Sequence, residues 1–197
     1  AYIMPMALRL RGPLDADAFR RALDGLVARH ESLRTVFRMK DGQAVQVILP
    51  HAGVDFPLHD LAALDEAERE AEAARRTETE VRTLFDLANG PVIRAQLLRF
   101  GADDHLLLLS MHHIVGDAWS LGILFRELSE FYEAAIEGRP AALAPLPVQY
   151  ADYALWQRNR MQGAALEGEL AHWRRTLEGA PTLALPTDRP RPAVQSY

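Results

Sequence analysis

Residues 110–122 read SMHHIVGDAWSLG and set two adjacent histidines, His112 and His113, five and four residues ahead of Asp117. The run HLLLL precedes this stretch and an amphipathic segment follows it. A polar group buried without a partner costs roughly 2–7 kcal/mol, so a His-His-Asp group at the end of so apolar a run needs a partner or a task. Side chains along an extended strand face alternate sides, so the two histidines share one site only if the strand has already broken. That geometry, with no further His or carboxylate cluster at ligand spacing, argues against a metal centre. Asp117 stands just before a helix expected to start at Trp119 and suits its N-cap. His112 reads as a core histidine bonded to backbone. His113, at a strand end before a loop and a helix, reads as a displayed group, and a neutral imidazole there can accept a proton near neutral pH. No G-x-S-x-G elbow surrounds Ser110 or Ser120, so an attacking serine has no support. A base without its own nucleophile suits direct transfer, in which one substrate attacks another and the histidine deprotonates or orients the attacking amine or hydroxyl.

The elements that must carry this group follow from the pattern. MALRL, residues 6–10, alternates as a strand does and ends at Gly12-Pro13. Asp15 suits an N-cap, with Leu14 and Phe19 placed as a hydrophobic staple. Phe19, Leu23, Leu26 and His30 recur at helical spacing and mark one buried face. TVFRMKDGQAVQVIL predicts a hairpin turning at Asp41-Gly42, with Thr35, Phe37 and Met39 on one strand face. A charged helix over residues 65–85, whose apolar side is mostly alanine, belongs on the outside. NGPVIRAQLLRF and DHLLLLSM predict two strands joined by the turn GADD. Leu121, Leu124, Phe125, Leu128, Tyr132 and Ala135 mark a long amphipathic helix ending near Gly138 and Pro140. A proline-punctuated loop then leads to a last helical region. The order predicts one mixed α/β (α+β) unit with at least one antiparallel pair.

Composition narrows the function classes. The 197 residues are 49% hydrophobic and 25% charged, ordinary for a globular domain with one sizeable core. The net charge of −5, with both signs interspersed, offers no basic face for nucleic acid or anionic lipid. With no cysteine, disulfides, thiolate metal sites and cysteine nucleophiles are excluded. No apolar run approaches the ~20 residues of a spanning helix, and no signal peptide is evident, so the chain is expected in the cytoplasm. A strand already under way at residue 1 and the proline-rich end LPTDRPRPAVQSY suggest a piece of something longer.

With these residues in view, HHIVGDAWS resembles the H-H-x-x-x-D-G signature of condensation domains from nonribosomal peptide synthetases. Plant-type and polyketide-associated acyltransferases share the shorter H-x-x-x-D-G form, but further stretches agree in the family's order. They are RHESLRTVF (29–37), FDLANGPVIRAQLLR (85–99), YADYALWQ (150–157) and LPTDRPRP (185–192). The resemblance covers essentially the whole chain and is most like the subtype that joins two L-configured residues. It is unlike the heterocyclising subtype, which replaces the leading histidines with aspartate. It implies a chloramphenicol-acetyltransferase-like lobe, one half of a two-lobed domain whose active site lies in a tunnel between the lobes. Residues 1–180 correspond to the N-terminal lobe without its opening motif, and residues 181–197 to the linker toward the C-terminal lobe.

The resemblance makes His113 the catalytic histidine, acting on the α-amine of an acceptor aminoacyl thioester as it attacks a donor thioester carbonyl. It pairs Asp117 with Arg34 in a salt bridge that shapes the site, and leaves His112 mainly structural. Both substrates would arrive on the phosphopantetheine arms of donor and acceptor carrier domains, beside an adjacent adenylation domain, so the domain itself would need no metal and bind no cofactor. Ala118 stands where the family has glycine. In the first turn of a helix alanine fits without strain, although its Cβ narrows the space, and Gly116 relieves some crowding. Two other readings remain: a stand-alone acyltransferase using acyl-CoA, and a non-catalytic docking or scaffold domain of the same fold.

Overall fold

Regular alternation in Ile3–Arg11 (β1) and a nearly unbroken apolar run in Asp104–His112 (β6) give the two strands that organise the sheet. The computed structural model describes residues 2–51, 53–183, 185–190 and 192–194, so Ala1, where a strand was expected to be under way, lies outside the described residues. β6 is buried on both faces and runs antiparallel to β1 on one side and to β5, Ile93–Gly101, on the other. A third neighbour, β4 (Leu58–Asp60), pairs parallel with Leu97–Arg99 and makes the sheet mixed, in the order β1-β6-β5-β4. β4 has no counterpart in the sequence pattern, because three residues are too few to display an alternation. A separate hairpin joins β2 (Thr35–Lys40) to β3 (Gln43–Ile48), with Asp41 at φ 52° and Gly42 at φ 75°. Two consecutive positive φ values suit the right-handed twist of a two-residue turn. Its outer end leaves the core, and Met39, expected on a strand face with Thr35, is 70% exposed.

Helices cover both faces of the four-stranded sheet. On one face lie α1, Ala16–Arg29, and α3, Ala118–Glu137, burying Leu23, Leu26 and Leu124 against Leu107, Leu109 and Met111. Asp15 caps α1 by accepting from the Ala18 amide at 2.8 Å, and Leu14 packs on the same core as Phe19. Gly138, at φ 65° in the left-handed region, ends α3. On the other face α2, Glu66–Arg82, buries only Ala73, against Leu61, Leu98, Phe100 and Leu108. Its polar flank reaches the sheet through Glu80, which accepts from Arg94 Nε at 2.9 Å and Gln96 Nε2 at 3.0 Å.

The chain divides into two compact units, Ala1–Tyr153 and Ala154–Tyr197. The division falls within α4, Tyr150–Arg160. The last helical region is two helices rather than one, because Gly163 at φ 52° interrupts the backbone between α4 and α5, Gly163–Thr176. No residue of α4 or α5 is buried. Residues 184, 191 and 195–197 of the expected linker lie outside the described residues. Among the described residues no helix is long and apolar enough to cross a membrane.

Candidate active site

The end of β6 decides where the two histidines go. His112 is the last strand residue, its amide bonded to Val92 O at 3.0 Å, while the His113 amide bonds to Tyr2 O at 2.7 Å. The alternation then sends the two rings apart. His112 packs edge-on against Phe85 with centroids 6.0 Å apart, and its Nδ1 accepts from the Ile114 amide at 3.1 Å. Burial lowers its pKa below the usual imidazole value. His113 instead is exposed and lines a cavity of about 510 Å³ on the α1/α3 side. The backbone turns at once, as Val115 N bonds to His112 O at 3.1 Å. Gly116 makes the turn possible without clash, since a Cβ there would lie 2.9 Å from Met111 Sδ.

Asp117 is the N-cap of α3. Its Oδ1 accepts from the Ser120 amide at 2.8 Å and the Ser120 hydroxyl at 2.7 Å, and Ser120 Oγ accepts in turn from the Asp117 amide at 3.3 Å. Those hydrogen bonds from Ser120 hold the carboxyl below the usual aspartate range. Ala118 is the first helical residue and is not among the positive-φ positions, so alanine replaces glycine there without backbone strain.

The expected salt bridge between Asp117 and Arg34 does not form. Arg34 closes the 3-10 turn Glu31–Arg34 and folds back on its own neighbourhood. It donates through one terminal nitrogen to Leu49 O at 2.7 Å and through the other to Glu31 Oε1 at 3.5 Å. Its Nε is buried without a hydrogen-bond partner, and the residue lines a second cavity of about 460 Å³ that Asp117 does not reach. The physical reason is locality: the last carbonyl of the hairpin and a carboxylate one turn away meet the guanidinium, while the α3 amides meet the aspartate.

Sequence reasoning missed a second polar group, which reaches the first cavity through His30 and Gln149. Glu127, 5% exposed in the middle of α3, accepts at Oε2 from Arg29 Nε at 2.9 Å and contacts His30 Nε2 at 2.6 Å. Gln149 completes the wall, donating to Arg29 O at 2.9 Å and accepting from the Glu31 amide at 3.1 Å. His30, Gln149 and His113 all line the cavity. The signal was present, because an acid three residues after Leu124 falls on the stripe that α3 buries and needs a cationic or N–H partner there. Among the described residues no group of three or more His, Cys, Asp or Glu side chains is arranged to hold a metal.

The condensation domain family profile matches residues 1–197. The chain belongs to that family. It is 48% identical over 197 residues to a linear gramicidin synthase of Brevibacillus parabrevis. The match covers the whole chain but only 2% of that protein's length. Among solved structures, the X-domain from teicoplanin biosynthesis superposes with a TM-score of 0.83 at 34% identity, over 98% of this chain and 42% of that one. A variant of the starter condensation domain of a rhizomide synthetase superposes with a TM-score of 0.84 at 18% identity, over 93% of this chain and 44% of that one, which supports the fold alone. The mixed α/β architecture is therefore the chloramphenicol-acetyltransferase-like fold of condensation domains.

Proposed function

We propose that this chain is the N-terminal lobe of a condensation domain that forms peptide bonds in nonribosomal peptide synthesis. Residues 1–180 make up that lobe, and residues 181–197 lead to a C-terminal lobe. The observation that carries the reading is His113 on the open cavity, one residue past β6, with its ring free of any hydrogen bond among the described residues. An unengaged imidazole in a partly apolar recess is suited to take a proton as an amine attacks. The nitrogen lone pair forms the new amide bond to the donor carbonyl, the donor thiolate leaves, and the proton lost by the amine passes through His113 Nε2 or Nδ1 to that thiolate. Atoms and charge balance without a bound cofactor, since both acyl groups are carried as thioesters on the phosphopantetheine of donor and acceptor carrier domains. An adenylation domain loads the acceptor, both substrates are L-configured, and the reaction runs in the cytoplasm. The spread of matched stretches and the similarity to a synthetase favour this over a stand-alone acyl-CoA acyltransferase or a scaffold domain.

His113→Ala in the protein that carries this chain is expected to abolish dipeptidyl transfer between two loaded carrier proteins, with circular dichroism unchanged. Retention of most of the turnover would overturn the reading.

A further inference from the structure

The end of α1 brings a second histidine to the cavity. His30 is the C-cap of α1, and its Nε2 is held 2.6 Å from the carboxylate of Glu127, whose side chain is 7% exposed. Burial alone would push that carboxyl up, but the hydrogen bonds from His30 and Arg29 outweigh it and hold the group below the usual glutamate range. An ionised carboxylate only accepts, so His30 carries its proton on Nε2. In the neutral ring the lone pair then sits on Nδ1, to which no described residue donates a hydrogen bond. Of the cavity's other polar side chains, Gln149 is engaged at both ends of its amide, and Asp117 Oδ1 and Ser120 bond each other at the start of α3, while Ser32 and Tyr150 also line the wall.

An attacking amine needs two acceptors. A neutral primary amine attacks through its lone pair and keeps two N–H bonds, of which His113 accepts one. The other, left unpaired in a recess, loses its hydrogen bonds to water without replacement. We infer that His30 seats the acceptor amine by accepting its second N–H through Nδ1, and that Glu127 is a positioning residue that fixes the His30 ring and tautomer. The ligand class is the primary α-amine of an aminoacyl thioester. A hydroxyl acceptor has one O–H and gains nothing from a second partner, so the pair His113 and His30 distinguishes amine from hydroxyl. This rests on the reading of the chain as a peptide-bond-forming lobe.

The test is steady-state kinetics in the protein that carries this chain, with alanyl and lactyl N-acetylcysteamine thioesters as acceptor probes. His30→Phe is expected to raise KM for the alanyl probe about tenfold, leaving kcat within about twofold and KM for the lactyl probe unchanged. His30→Asn, whose carbonyl oxygen stands near the Nδ1 position, restores the alanyl KM. His30→Gln, which reaches toward Glu127 instead, does not. Glu127→Gln shifts the alanyl KM in the same direction by a smaller factor, because an amide oxygen still accepts from Nε2. An unchanged alanyl KM in His30→Phe, an equal rise with both probes, or equal KM values in the Asn and Gln variants would overturn the inference. Should His30→Phe fail to fold, the comparison of Asn with Gln decides. His113→Ala separates the two levels. If it is inactive while the His30 variants behave as wild type, only the seating role fails, whereas an active His113→Ala removes the reading on which that role rests.

Discussion

An aspartate one residue before a helix faces two claims on its carboxylate: the unpaired amides of the first turn and any cation within reach. In Asp117 the amides prevail, because Ser120 presents both its N–H and its hydroxyl at under 3 Å, whereas Arg34 is committed to Leu49 O and Glu31. Asp117→Ala is therefore expected to lower the melting temperature by a few degrees, and Asp117→Asn to restore most of that loss, since asparagine also caps. Combining Asp117→Ala with Arg34→Ala should give additive changes in stability, as for residues that share no partner. Strong coupling in that double-mutant cycle would show that the two charges meet. The pH sign follows from the lowered carboxyl pKa. The cap's contribution is fully present above the unfolded aspartate value of about 3.9 and is lost as pH falls through the lower folded value. At this scale the sequence made the helix cap legible, because cap preference is a local rule. The ion pair was an expectation carried by resemblance, and it depended on where a long side chain folds, which no local pattern encodes. His30 and Glu127 were legible only as oddities on apolar stripes, since their partnership joins elements that lie 97 residues apart in the chain.

Elements meet where their surfaces allow close approach, and α1 approaches α3 closely at Gly25. A Cβ built there would lie 2.7 Å from Phe131 Cδ1 and 2.9 Å from Cε1, so the absence of a side chain sets the helix separation. Two effects compete on substitution. Alanine gains about 0.8–1.0 kcal/mol of helix propensity over glycine, while overpacking typically costs about 1–3 kcal/mol. Because the obstacle is a ring on a partly buried helix face rather than a free chain end, the overpacking prevails. Gly25→Ala is expected to destabilise the protein by about 1 kcal/mol, and Phe131→Leu in the same chain to recover most of that loss. Urea unfolding of the single and double variants checks it, and a stabilised Gly25→Ala would mean that the helices slide freely. The strands and helices bordering this contact were legible because each has a sustained period: two in β1, about 3.6 in α1 and α3. β4, with three residues, and the break at Gly163 had no such period to show.

The whole chain carries one unit with a buried core and one whose helices bury nothing. In Ala154–Tyr197, Leu155, Trp156, Trp173, Leu177 and Leu183 are each more than half exposed. In Ala1–Tyr153, Trp119 beside the capped start of α3 is 84% exposed and His113 faces solvent. Apolar groups gathered on a surface mark contact regions, and a domain of this size buries about 70% of its unfolded-chain surface when complete. The sheet and its helices bury an apolar cluster on each face within Ala1–Tyr153, while Trp119, Trp173 and the exposed leucines present apolar surface to solvent. Catalysis is a different demand. Orientation of two reactants supplies about 7–11 kcal/mol in favourable cases, and excluding water strengthens the electrostatics that hold them. A cavity open to solvent at His113 provides neither in full. These 197 residues alone are therefore expected to show folded circular dichroism and a cooperative melt, to scatter light as more than one copy, and to leave two loaded carrier proteins unreacted. Turnover well above the uncatalysed rate would show that the cavity bounded by α1, α3 and the end of β6 is a complete site. Acceptance of acyl-CoA as donor in the same assay would move the assignment to a stand-alone acyltransferase.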